Sequence, residues 1–414
     1  MKTYMWRKWL LIIGILLTSQ LSIAGNPEDT IPTSNRYIHQ LETEVRQAYI
    51  FPSTSFLEGE NNKSKALRSA FSAHLRYAFS FPPLSYIDRI YGSPYQGIGV
   101  AYYNFGDRHE IGNPIAVYLL QGGRLADFSS RLSLNYEWNF GISAGWHPYD
   151  VNSNPNNTVI GSKVNAYLNT SAYLNFTLSP QFDLTSGISL THFSNGNTDF
   201  PNAGLNTIGI KMGLTYNFKK NKAIQLNNTP PVLISDFPRH FSYDLIFFGS
   251  WRRKGIVYND IPLASPYTYE VFGFNFTSFY NIRYRFRAGI SLDGVYDSSA
   301  NIYTEEYNVT ADGHDPSFTF YKPPLKKQLS LGLSARAEYI MPYFSINMGL
   351  GTNIIHGGGD LRGLYQIVAL KIETSRNSFI HIGYNLHDFK EPNYLMIGFG
   401  YRFHNKYPFI YHSF

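Results

Sequence analysis

Phe182-Asp183-Leu184-Thr185-Ser186-Gly187-Ile188-Ser189-Leu190-Thr191-His192-Phe193-Ser194 has mostly apolar even positions and mostly polar or small odd ones. Asn206-Thr207-Ile208-Gly209-Ile210-Lys211-Met212-Gly213-Leu214-Thr215-Tyr216 does the same a few residues later. A period of two is the mark of a β-strand whose successive side chains point to opposite faces. The apolar set here (Leu184, Ile188, Leu190; Ile208, Ile210, Met212, Leu214, Tyr216) suits lipid, and the opposite set (Asp183, Thr185, Lys211, Thr215) suits an enclosed polar lumen. That inversion, greasy outside and polar inside, is the pattern of a transmembrane barrel.

The same alternation recurs over the rest of the chain. It predicts strands near 42–51, 68–80, 96–105, 113–121, 129–146, 163–178, 181–194, 204–218, 239–253, 267–280, 282–296, 326–341, 343–353, 364–374, 377–386 and 394–403. The fold class is therefore all-β, a transmembrane antiparallel β-barrel protein of about 16 strands, with 12 to 16 as the range. Connections after even-numbered strands are short, as at Ser179-Pro180, Met341-Pro342 and Ser375-Arg376, while those after odd-numbered strands are long and polar, as at 148–163 and 300–325. Short periplasmic turns and long extracellular loops are the asymmetry expected of this class. Two long connections, 81–96 and 219–239, fall on the periplasmic side instead. The second, with Asn221, Asn227, Asn228, Pro230 and Pro231, divides the chain into halves of about eight strands each. Pattern alone leaves open whether these close as one barrel or two. In the last strand Leu395, Ile397, Phe399, Tyr401 and Phe403 share the lipid face, and Phe403 or Phe414 offers the terminal aromatic read by the outer-membrane barrel assembly machinery.

Composition and the N-terminus agree with export. Lys2, Arg7 and Lys8 precede an apolar run from Trp9 to Leu17, followed by Ser22 and Ala24, a signal peptide over 1–24 too short to span a bilayer as a helix. Residues 25–40 are expected to be a periplasmic segment, 41–218 the first barrel unit, 219–238 a periplasmic linker and 239–414 the second unit. The formal charge of +6 falls to about +3 without the signal, too mild to argue for nucleic acid. Aromatic residues, at 17%, outnumber charged ones at 15%, a balance that interfacial aromatic girdles explain. The absence of cysteine rules out disulfides and thiolate metal sites. The expected location is the outer membrane of a Gram-negative bacterium.

One polar group interrupts the lipid face. His192 and Ser194 project outward at the extracellular end of one strand, and Asn206 begins the outward face of the next. Polar side chains at that depth are costly unless paired or used. A serine, an imidazole to take its proton and a third group to hold the ring tautomer are the parts of a nucleophilic hydrolase. The alternative is a girdle histidine beside a hairpin-ending Ser-Asn-Gly. Weaker candidates are Trp146-His147-Pro148-Tyr149-Asp150, which has too few ligands for a metal and reads as an interfacial aromatic patch, and Gly357-Gly358-Gly359, which lacks the following helix of a phosphate loop and reads as a turn.

Thr191-His192-Phe193-Ser194-Asn195-Gly196-Asn197, followed by Pro201-Asn202-Ala203-Gly204-Leu205-Asn206, resembles the motif of the lipid A 3-O-deacylase (PagL-type, acyloxyacyl hydrolase-like) family. The resemblance covers about residues 40–218 and implies an eight-strand outer-membrane barrel that removes an ester-linked acyl chain from lipid A of lipopolysaccharide. It implies Ser194 as nucleophile, His192 as general base, and Asn195 with Gly196 as the oxyanion site; no cofactor and no metal site are read from the sequence. This sequence departs from the family in two places: Asn206 stands where the family has glutamate, and glycine sits at 196, one place early. Asp199 and Asp150 are the nearby acids that stand as substitutes. The chain is also longer by a second unit, where Asn353-Ile354-Ile355-His356-Gly357-Gly358-Gly359-Asp360 lies in a hairpin comparable to the first but without the serine. The rival reading is a non-enzymatic, porin-like barrel that keeps a decayed motif around a wide, watery lumen.

Overall fold

A computed structural model describes residues 30–32, 37–83, 85–218, 234, 236–258, 261–305, 319–388, 391–407 and 409–411. The expected signal peptide, most of the 219–238 linker and Phe414 lie outside these residues. Sixteen long strands form two closed antiparallel barrels of eight. The first comprises β1 (Ile38–Ile50), β2 (Ser69–Ser80), β3 (Tyr95–Asn104), β4 (Gly112–Asp127), β5 (Leu132–Trp146), β6 (Val164–Thr177), β7 (Phe182–Ser194) and β8 (Leu205–Phe218). The second comprises β9 (His240–Arg252), β10 (Tyr269–Arg283), β11 (Phe286–Asp297), β12 (Leu329–Ile340), β13 (Phe344–His356), β14 (Leu364–Glu373), β15 (Ser378–His387) and β16 (Glu391–Phe403). Each closes on itself, β1 pairing with β8 and β9 with β16. Separately, Thr30–Pro32 pairs in parallel with Phe409–Tyr411, which gives part of the C-terminal tail a partner.

The alternation in sequence becomes the two faces of each wall. Along β8, Ile208, Ile210, Met212, Leu214 and Tyr216 are exposed, while Thr207, Lys211 and Thr215 are buried in the lumen. Exposed aromatic residues gather towards both ends of the first barrel, Phe182, Tyr216 and Phe218 at the short-turn end and Tyr49, Phe51 and Phe71 at the long-loop end, as membrane interfaces favour. β1 starts at Ile38, inside the segment expected to precede the barrel. β4 runs six residues past the expected end at 121, because a bulge between Arg124 and Ala126 lets pairing with β5 continue. The long 81–94 connection holds a short helix, Tyr86–Tyr91, whose Asp88 N–H is accepted by the Ser85 hydroxyl at 3.3 Å.

Neither lumen is a wide aqueous channel. In the first barrel Arg76 bridges Glu42, Glu44 and Glu137, and Lys211 Nζ lies 2.7 Å from Glu44. In the second, Arg287, Lys371 and Arg402 converge on Asp244 and Glu338. Buried charges persist only when paired, and an eight-strand barrel is just wide enough for side chains to fill. The barrels also meet along their outer walls. Towards the short-turn end, the Trp138 indole N–H reaches Met341 Sδ at 3.4 Å and its ring meets Phe344 edge-on at 5.6 Å. Tyr86 Oη donates to Tyr284 Oη at 2.8 Å nearby.

Candidate functional site

β7 is fixed in depth and facing by Phe193. Its ring is fully buried at the long-loop end of the first lumen, with Tyr103 and Trp146 each at 5.0 Å and Tyr167 at 5.4 Å. With Phe193 turned inward, strand alternation turns His192 and Ser194 outward. Antiparallel register then sets Asn206 directly opposite His192. Its Oδ1 lies 2.7 Å from His192 Nδ1. An amide oxygen accepts only, so Nδ1 carries the proton and Nε2 keeps its lone pair, the tautomer a base requires.

Ser194 faces the outer wall yet is only 6% exposed. Its Oγ accepts from the Gly196 N–H at 3.1 Å and from Asn202 Nδ2 at 3.0 Å. The Asn195 N–H donates to Asn202 Oδ1 at 3.1 Å, which orients that amide with its NH₂ towards the serine. Asn195 Nδ2 donates to the Asp199 carbonyl at 3.1 Å, tying the loop to itself. The structure pairs His192 with Asn206, and separately joins Ser194 to Gly196 and to Asn202, whose Oδ1 also accepts from the Ser194 hydroxyl at 3.4 Å; among the described residues no hydrogen bond links Ser194 to His192. The place of Asn202 in Pro201-Asn202-Ala203-Gly204 reads in sequence as ordinary turn chemistry, so no periodicity marks it; only the closure of the loop over Ser194 does.

Two glycines permit this closure. Gly196 has φ +66°, and a Cβ there would meet Leu395 Cβ at 3.4 Å and Tyr384 Cε2 at 3.5 Å. Gly204 has φ +73°, and a Cβ would press to 3.1 Å from His192 Cε1. Both need the left-handed backbone that glycine alone adopts cheaply. The loop is further held by the Gly204 N–H on the Val159 carbonyl at 3.2 Å and by the Arg253 N–H on the Asn197 carbonyl at 3.1 Å.

Neither acid considered as a substitute engages His192. Asp150 caps its own loop, accepting from the N–H groups of Asn152 at 3.1 Å and Ser153 at 2.9 Å, and these bonds hold its carboxyl below the usual range. Asp199 pairs with Arg253 of the second barrel at 3.3 Å. Trp146 is not an interfacial residue as its sequence context suggests; it is buried in the lumen, donating to Ser143 Oγ at 2.9 Å. His147 Nδ1–H donates to the His109 carbonyl at 2.8 Å. The Asn353–Asp360 stretch joins the fifth and sixth strands of its barrel, whereas the Ser194 loop joins the seventh and eighth, so it is not the topological counterpart. Gly358 and Gly359 there have positive φ and enter a short 3-10 turn, Gly359–Leu361.

Comparison with known proteins follows the division into two barrels. Residues 71–215 match the family model "Lipid A 3-O-deacylase (PagL)", and residues 241–405 match "Acyloxyacyl hydrolase, C-terminal domain". Among solved structures, the outer-membrane enzyme PagL is 13% identical, covering 42% of this chain and 97% of its own, with a TM-score of 0.29. Neisserial surface protein A is 10% identical, covering 44% and 97%, also with a TM-score of 0.29. The Acinetobacter baumannii outer membrane protein Omp33 is 9% identical over 88% of this chain and 98% of its own, with a TM-score of 0.16. Comparison with curated protein sequences finds no match. The two family models together cover most of the chain, each falling on one closed barrel, and the chain belongs to the lipid A 3-O-deacylase (PagL) family of outer-membrane β-barrels.

Proposed function

We propose that the protein is a carboxylic-ester hydrolase that removes an ester-linked acyl chain from lipid A, with Ser194 and His192 as the reacting pair. The observation that carries this reading is the 2.7 Å His192–Asn206 bond across the β7–β8 ladder, with Ser194 two residues along the same outward face. His192 Nε2 takes the proton as Ser194 Oγ bonds to the acyl carbon, and the carbonyl π electrons move to oxygen. The N–H of Gly196 and the amide of Asn202, which hold Oγ at rest, are placed to receive that oxyanion, with Asn195 setting the direction of the Asn202 amide. His192 then returns the proton to the departing sugar oxygen, and water hydrolyses the acyl-enzyme by the same route in reverse. A site on the outer wall meets its substrate only in the membrane, which selects a lipid ester over a soluble one. The long-loop end would face outside the cell, where lipopolysaccharide lies, after insertion by the barrel assembly machinery.

Charge pairs bridging each narrow lumen favour this reading over a porin. Purified protein in micelles should release free fatty acid from lipid A, and Ser194→Ala should abolish the release. Fatty acid released at an equal rate by both proteins would remove Ser194 as nucleophile.

A further inference from the structure

The site loop does not end the structure on that side of the first barrel, because the second barrel's own seventh and eighth strands stand against it. On β15 and β16, Tyr384 and Leu395 are register partners and share the outward face. Both reach Gly196. Arg253 holds the Asn197 carbonyl and the Asp199 carboxylate, and Asn197 Nδ2 donates to the Asn393 carbonyl at 3.4 Å. The contact is therefore polar and apolar together, built on the loop that carries Ser194.

One group in this contact is chemically conspicuous. The Tyr384 hydroxyl is buried and interacts with the Ser194 side chain, yet completes no aligned hydrogen bond with any acceptor. Buried hydroxyls are normally satisfied, and those left unsatisfied mark strain or function. A second wall residue of a barrel would ordinarily touch acyl chains, where a phenol oxygen gains nothing. Here the neighbouring side chain is Ser194, and an oxygen that becomes negative beside Ser194 would be a stronger acceptor for this hydroxyl than the neutral serine is.

We propose that Tyr384 is a catalytic residue supplied by the second barrel, donating its O–H to the oxyanion formed when Ser194 attacks the ester, while Leu395 walls the acyl chain beside it. The inference rests on the esterase reading above. The phenol keeps its proton throughout; it lends a hydrogen bond, and the proton that moves is the one exchanged between Ser194 and His192. A donor made only in the transition state raises kcat and leaves ground-state binding alone. The second barrel then has a stated task, because the first barrel by itself lacks this donor as well as the family's glutamate.

The test is steady-state kinetics of the full chain on lipid A in micelles, with folding read from heat-modifiable electrophoretic mobility. Tyr384→Phe keeps the ring packed and should lower kcat about 100- to 1000-fold, with KM within about twofold, as removal of one oxyanion donor does elsewhere. Tyr384→His keeps a ring donor and should recover part of the loss, which a purely structural role would not produce. Wild-type kcat in Tyr384→Phe, or a change confined to KM, overturns the proposal and leaves the esterase reading intact. No turnover by the wild-type protein overturns the esterase reading itself, and this inference with it.

Discussion

Replacing Asn206 by glutamate puts a carboxylate beside the imidazole that the proposed mechanism charges. In the structure Asn206 Oδ1 accepts from His192 Nδ1 at 2.7 Å, so the amide fixes the tautomer but carries no charge to offset the imidazolium. A carboxylate about 4 Å from the ring's charge stabilises it by about 4 kcal/mol at an effective dielectric near 20 and by about 1 kcal/mol in water. The position is half-buried, which places the gain between these limits. At about 1.4 kcal/mol per factor of ten, kcat should rise about tenfold to 100-fold. Asn206→Ala should lose activity, but less than Ser194→Ala, because it removes orientation and not the nucleophile. The assay is fatty-acid release from lipid A under saturating substrate, with folding checked by heat-modifiable mobility. A folded Asn206→Glu protein as inactive as Ser194→Ala would refute the assignment of Asn206 as the group that orients His192.

Three further outcomes follow from the geometry. Gly204→Ala, with φ +73° and only 3.1 Å to His192 Cε1, should reduce activity more than it reduces thermal stability, measured by kcat against the melting of heat-modifiable mobility. Phe193→Ala empties a ring site packed against Tyr103, Trp146 and Tyr167 and should destabilise the first barrel by about 3–5 kcal/mol, read by urea unfolding in micelles. In planar bilayers the protein should show no sustained large conductance steps, since paired charges bridge both lumens and the open space in the first is a cavity of about 320 Å³; porin-sized steps would revive a channel function.

Strand positions were legible because lipid favours apolar side chains on the outward face: Leu184, Ile188 and Leu190, interrupted only by the small Ser186, and Ile208 to Tyr216 at alternate positions write the alternation directly into the chain. β4 was less legible because Gln121, Gly122 and Gly123 break that alternation at its centre, where pairing with β5 nonetheless persists. Closure into two barrels could not be read from period, since it depends on which edges meet: β1 with β8 and β9 with β16. His192, Ser194 and Asn206 stood out as polar residues on a lipid face. Asn202 did not, because a loop side chain's direction is set by the fold of the loop. Tyr384 is separated from Ser194 by seven barrel strands, and an aromatic residue on an outer wall looks like any other girdle residue. Trp146 shows the same limit in reverse, looking interfacial by its neighbours and lying inside by its register.

The most direct test of lipid A deacylation through Ser194 is mass spectrometry of lipid A from cells of one Gram-negative host making the wild-type protein, Ser194→Ala, or neither. The account predicts a lipid A species lighter by one hydroxyl-linked acyl chain in cells with the wild-type protein, and lipid A from the Ser194→Ala cells identical to that of cells with neither. An unchanged acylation pattern with abundant, folded wild-type protein in the outer membrane would contradict it.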